Sequence, residues 1–132
     1  MDDPILTDIE VASAAVVNQA TYDFANALSE TPQFQAFERA AWHLRQDEQT
    51  QAALKAFRDK QDSLKALAML KAVSSKDQAE LDGLRQNLFS LPSMVAYTQA
   101  QTDLASLCQT AGDLLSKSIG IDFSAATSSG CC

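Results

Sequence analysis

The chain has 132 residues, of which 46% are hydrophobic and 20% charged, with only four Gly and three Pro. That is one domain's length, and globular scaling gives about 6,800 Å² exposed when folded against about 20,600 Å² for the unfolded chain, enough burial for a self-standing core. The composition excludes disordered, collagen-like and low-complexity classes and argues against a turn-rich all-β fold, while a net charge of −7 argues against a general nucleic-acid binder, whose non-specific affinity comes from phosphate attraction.

Thr7-Asp8-Ile9-Glu10 fits a capping box, the Thr hydroxyl accepting from an early N–H while Glu10 reaches back. A first helix is expected from about Asp8 to Ser29. One apolar row runs Ile9, Ala12, Val16, Ala20, Phe24 and Ala27, and a second holds Val11, Ala14, Ala15 and Val17. A helix apolar around so much of its girth is expected to have neighbours on more than one side. Thr31-Pro32 is the next start signal, a cap residue followed by Pro at the first helical position. The second helix carries Phe34, Phe37, Ala41 and Leu44 on one face and ends near Gln46. Asp47 then caps a third helix, expected over about Glu48 to Val73, with Leu54, Phe57, Gln61, Leu64, Leu67 and Ala68 in period.

The opposite face of that third helix carries Lys55, Arg58, Asp59, Lys60, Asp62 and Lys65. Lys55/Asp59 and Arg58/Asp62 read as solvated ion pairs one turn apart. Ser75-Lys76-Asp77-Gln78 fits another capping box, opening a fourth helix to about Phe89 with Leu81, Leu84 and Leu88 inward. After Leu91-Pro92 a fifth helix runs to about Ile119, with Met94, Tyr97, Leu104, Leu107, Cys108, Ala111, Leu114 and Leu115 facing a core. Gly120 sits where a C-terminal stop belongs.

The expected fold is all-α: an elongated antiparallel bundle of about five helices, three long and two short. Residues 1–123 form one domain, and residues 124–132 form a flexible tail ending in Cys131-Cys132. Helices of this length span roughly 33–42 Å, long for a chain whose compact radius of gyration is about 14 Å. A long thin bundle leaves apolar surface uncovered, and a two-fold dimer is the economical way to cover it. The first helix is the expected interface.

Charge is uneven along the chain. Residues 1–38 hold seven acids and no Lys or Arg, residues 39–85 hold nine bases and seven acids, and residues 86–132 hold one base and three acids. A basic partner would be steered to the acidic head. Met1-Asp2-Asp3-Pro4 does not read as a secretory signal. The longest strictly apolar stretch, Ala66 to Leu70, is far short of a membrane span, so the expected location is the cytoplasm.

Signals for chemistry are sparse. The single histidine, His43, lies off the apolar row of its helix and reads as a surface residue, and neighbouring Trp42 reads as core or interface packing. There is no Glu-x-x-His pair for a bundle-core metal site. The glycines (Gly83, Gly112, Gly120, Gly130) are isolated, so no phosphate loop forms, and no nucleophile elbow is present. The acids sit on solvent faces rather than in apolar pockets that would tune them. The expectation is therefore a protein that is not an enzyme. Direct RNA binding by the third helix is also not expected, because Asp59 and Asp62 interrupt its cations and no aromatic platform accompanies them.

Three cysteines make no disulfide framework. Cys108, beside Leu104 and Leu107, reads as a small buried hydrophobe. Cys131 and Cys132 read either as an unligated tail or as two thiolate ligands for zinc or an iron–sulfur cluster. Such sites usually want four ligands, so a second tail or a partner's cysteines would complete the set.

Several pieces together resemble the YlbF/YmcA family of small helical bacterial proteins, over about Ile5 to Phe123. They are Ser29-Glu30-Thr31-Pro32-Gln33-Phe34, then Asp47, Leu54, Phe57 and Gln61, then Leu88. Most distinctive is Pro92-Ser93-Met94-Val95-Ala96-Tyr97-Thr98-Gln99-Ala100, followed by Leu104, Leu107 and Ile119. The resemblance implies a helical bundle that dimerises or joins a larger complex as a regulatory subunit. Its partners would be itself and other proteins, including paralogues of the same family. It implies a role in RNA maturation by an endoribonuclease and in competence, sporulation and biofilm formation. Some relatives carry iron–sulfur clusters on C-terminal cysteines. Here Cys131 and Cys132 are adjacent rather than spaced, which departs from that pattern.

Overall fold

The computed structural model describes residues 13–123. Five helices follow in order: α1 (Ala14–Ser29), α2 (Pro32–Gln46), α3 (Glu48–Met69), α4 (Ser75–Ser90) and α5 (Pro92–Ile119). Among the described residues there is no strand. The fold is all-α, as the sequence predicts.

Each boundary has a local cause. The Thr31 hydroxyl accepts from Phe34 N at 3.2 Å and donates to Leu28 O at 2.6 Å, so one side chain ends α1 and starts α2. Pro32 then supplies the fixed φ of the first turn. Asp47 caps α3, accepting from Gln49 N and Thr50 N. At the C-terminal side, Gly120 adopts φ 72° and closes α5.

Three ends differ from expectation. Ser13 is extended and caps α1, so the described helix begins at Ala14 rather than near Asp8; the Thr7–Glu10 capping box lies outside the described residues. Helix α3 stops at Met69 rather than Val73. Lys71 N donates to Ala68 O and Ala72 N to Leu67 O, the paired bonds of a Schellman motif, with Lys71 at φ 53° in the left-handed position usually given to Gly. A lysine gives no sequence signal for that stop. The α4 capping box uses Ser74 and Asp77, one residue earlier than Ser75 and Gln78. Adjacent serines make the two registers indistinguishable from spacing alone.

Helices α2 and α5 pack side by side, as do α3 and α4, and single-residue joints at Asp47 and Leu91 link the pairs. The pairs form one continuous antiparallel hairpin. Lys60 faces Glu80, Asp47 faces Ser93, Phe37 stacks near Tyr97 with ring centroids 5.4 Å apart, and Gln33 lies beside Leu107. Both arms therefore break at the same level. The core is a thin seam along this hairpin: Leu64, Leu88, Leu91 and Thr50 are buried, and Ala40 and Ala100 let α2 and α5 approach closely.

The rest is open. Helix α1 meets α2 only at their junction, and every residue from Ser13 to Ala27 is exposed. The neighbours expected on several of its sides are thus absent among the described residues. Helix α5 has 28 residues against 15 in α2, so about 20 Å of it runs beyond the end of α2. Leu114 and Leu115, expected to face a core, are exposed for that reason; Cys108, also expected to face it, is exposed at the level where α2 begins. Trp42 is also exposed, which removes its core reading. The accessible surface, 10354 Å², is well above the roughly 6,800 Å² of a compact chain of this mass.

Candidate docking surfaces

The most organised polar cluster sits where the two arms break. The Asp47 carboxylate caps α3, and its Oδ2 also accepts 2.6 Å hydrogen bonds from Thr50 Oγ1 and from Ser93 Oγ across the hairpin. The hydroxyl of Ser93, first of all, and then that of Thr50 hold the Asp47 carboxyl below the ordinary carboxylate range, against some desolvation. Thr50 is fully buried. Gln51 Nε2 donates to Leu44 O at 2.7 Å, satisfying a carbonyl of the last turn of α2. One carboxylate thus ties α2, α3 and α5 together. A shallow open groove of about 450 Å³ runs beside it, lined by Ala40, His43, Gln46, Asp47, Pro92, Ser93 and Ala96. His43 is on the surface, as expected, with its ring edge-on to Trp42.

A second polar cluster ties α3 to α4. Lys60 Nζ pairs with Glu80 at 2.7 Å and Asp77 at 3.0 Å. Those carboxylates raise the Lys60 pKa, and the Ser74 hydroxyl together with Lys60 brings Asp77 down to about 2. On the outer face of α3, Lys55 pairs with Asp59 as expected. Asp62 pairs with Lys65 rather than Arg58. Carboxylates therefore answer most cations of the face considered for RNA.

The Asp47 and Asp77 carboxylates are stabilised in the ionised form, the reverse of the raised pKa a general acid needs. Cys131 and Cys132, the predicted thiolate ligands, lie outside the described residues. Among the described residues, no group of three His, Cys, Asp or Glu side chains could hold a metal ion, and Cys108 is a lone exposed thiol. The described residues do not fit an iron–sulfur cluster or a zinc ion. None of the described helices is long and apolar enough to cross a membrane.

What the structure offers instead is apolar surface without a partner. On α1 it comprises Val16, Val17, Tyr22 and Phe24; on the outer half of α5 it comprises Leu114, Leu115 and Ile119; at the α3–α4 turn it comprises Met69 and Leu70, 87% and 77% exposed. Helical periodicity places Val16, Val17, Phe24, Leu114 and Leu115 on apolar stripes, but it cannot say that no second helix among the described residues reaches them. Sequence reasoning missed Thr50 and the role of Ser93. The usable signal was Asp47 followed three places later by Thr50, which puts a hydroxyl against the cap carboxylate.

A family model described as control of competence regulator ComK, YlbF/YmcA, matches residues 17–120. No curated protein matches the chain.

Proposed function

The chain belongs to the YlbF/YmcA family, and we propose from that premise that it is a non-enzymatic, cytoplasmic regulatory subunit that acts by docking onto other proteins. Its partners are a second copy of itself and paralogues of the family. The resemblance links the resulting complex to RNA processing and, through it, to developmental traits such as competence. The observation that carries the reading is the bare apolar surface of α1 and of the outer half of α5. A patch of large exposed side chains on a small protein marks a protein–protein contact. The lowered Asp47 carboxylate at the hairpin break serves the opposite need, a rigid scaffold from which those surfaces project.

The test is co-purification of the full-length chain with its family paralogues from the native host, alongside mapping of transcript ends in a strain lacking the gene. The expected result is a defined complex and altered transcript ends. Phe24→Asp with Leu115→Asp is expected to abolish the complex while leaving helix content unchanged. Loss of the gene without change in transcript ends, together with no stable paralogue complex, would refute the proposal.

A further inference from the structure

The α3–α4 turn combines bare apolar side chains with a local run of positive charge. Residues 63–76 hold three lysines (Lys65, Lys71 and Lys76) and no acid, in a chain whose net charge is −7. Residues 68–76 are all exposed, and Met69 and Leu70 are the two most exposed large apolar residues of those described. The paired bonds from Lys71 N and Ala72 N hold the turn in one shape, so Met69 and Leu70 project together from the end of the hairpin. Beside them a shallow groove of about 290 Å³ between α3 and α4, lined in part by Leu64, Ala68, Val73 and Leu81, continues the apolar surface. The nearest acids already contact lysines: Asp62 pairs with Lys65, and Asp77 and Glu80 pair with Lys60. Lys71 and Lys76 make no salt bridge among the described residues.

We propose that this tip docks on a membrane surface rich in anionic lipid, Met69 and Leu70 entering the boundary between headgroups and acyl chains while Lys65, Lys71 and Lys76 lie against the lipid phosphates. The contact is peripheral and needs no spanning helix. Shape favours lipid over a protein partner: the apex is convex, and a deformable bilayer accepts a convex apolar end where a protein must supply a matching socket. The cations are all lysines, compact charges on flexible stems that reach phosphates at varied positions. Charge is complementary at the tip and is screened elsewhere. Asp82 is set back about two turns along α4. Asp47 and Glu48, at the start of α3, lie about 33 Å away, roughly four Debye lengths at physiological salt. Two apolar side chains alone give marginal adhesion, and each lysine multiplies it about fivefold, for an association constant on the order of 10³–10⁴ M⁻¹ in lipid. The bare surfaces of α1 and of the outer half of α5 lie at the other end of the hairpin and stay free, so this inference goes beyond the docking reading without resting on it.

The experiment sediments the full chain with vesicles of phosphatidylglycerol and phosphatidylcholine in equal parts, and with vesicles of phosphatidylcholine alone, titrating lipid around about 1 mM. Wild type is expected to partition onto the mixed vesicles at low salt, to lose about tenfold or more of that affinity at about 0.5 M salt, and to ignore the neutral vesicles. Lys71→Glu reverses a charge at the surface and is expected to weaken partitioning about thirtyfold. Met69→Ser with Leu70→Ser is expected to weaken it about tenfold or more. Lys117→Glu makes the same charge change near the far end of α5 and is expected to bind like wild type. Circular dichroism confirms that each variant keeps its helix content.

Three results overturn the proposal: a wild-type chain that stays in solution beside the anionic vesicles, tip variants that bind them as well as wild type does, or a loss on Lys117→Glu equal to that on Lys71→Glu, which would mark attraction spread over the whole molecule. A wild type that ignores lipid while Met69→Ser with Leu70→Ser loses a co-purifying paralogue overturns it too, and assigns the tip to a protein partner. The docking reading survives the first three results, because its own test reads paralogue complexes and transcript ends.

Discussion

Thr50→Val tests whether the Asp47 carboxylate, rather than packing alone, holds the break in the hairpin. Valine keeps the shape of threonine but removes the hydroxyl that donates to Asp47 Oδ2 at 2.6 Å. A hydrogen bond to a charged acceptor contributes about 1.5–3 kcal/mol. Asp47 lies at a groove reached by water, which replaces part of the loss, and the buried methyl of valine returns up to about 0.8 kcal/mol. The net destabilisation is about 1–2 kcal/mol, or roughly 4–8 °C in Tm for a chain of this length. Ser93→Ala removes the second donor to the same oxygen. Because both hydroxyls serve one acceptor, the double variant is expected to deviate from additivity by about 0.5–1 kcal/mol. Urea and thermal unfolding followed by circular dichroism, at fixed protein concentration, measure all three variants. A neutral or stabilising Thr50→Val, or strict additivity in the cycle, would show that Leu88 and Leu91 packing sets the joint and that the carboxylate is incidental.

Lys71→Gly is expected to raise stability by about 0.5–1 kcal/mol in thermal unfolding, since glycine removes the left-handed strain at φ 53° and this gain exceeds its extra unfolded-state entropy; Lys71→Ala is expected to be near neutral. Leu88→Ala is expected to cost about 3–4 kcal/mol, because Leu88 is only 1% exposed, whereas Leu114→Ala, at 61% exposed, is expected to change monomer stability by no more than about 0.5 kcal/mol in chemical denaturation. For pH, Asp47 and Asp77 have folded pKa values below 3.8, Asp77 at about 2. Their contribution is present above 3.8 and is lost as pH falls through the folded values. Lys60 is raised above 10.5, so its contribution is present below 10.5 and lost as pH rises through the raised value. Stability is therefore expected to fall at both extremes, and Asp77→Asn is expected to flatten the acid limb of a pH–Tm profile.

The sequence carried the fold where the determinants are local. Thr31-Pro32, Asp47 and Gly120 each act within a turn of their own position, and each ended or began a helix where expected. It failed where a stop uses an unconventional residue, as at Lys71. It also failed where two adjacent serines offered the same cap, as at Ser74. The apolar stripe of α5 was legible to Leu107 and Ala111, but burial beyond them depends on how far α2 reaches, which no periodicity encodes. The Asp47–Ser93 bond joins residues 46 apart in the chain. Spacing gives no access to such a contact, so the Ser93 half of the best-built polar cluster was invisible beforehand.

The polar joint and the bare apolar surface occupy different ends of the same helix. Helix α5 begins at the Asp47–Ser93 joint and runs about 42 Å to its exposed apolar end. The joint is narrow, one carboxylate with two hydroxyl donors and two backbone donors. A tilt of 10° there displaces the far end of a rod this long by about 7 Å, more than one helical turn. The Asp47 carboxylate thus has a use beyond capping. A carboxylate that stays ionised keeps both hydroxyls engaged across the ordinary pH range, which fixes the direction in which the distal surface of α5 points. A bare apolar surface gains affinity when it is held in place before the partner arrives, since less ordering remains to be done on contact. The rigid break in the hairpin and the uncovered stripe beyond it therefore belong to one design: the first aims the second.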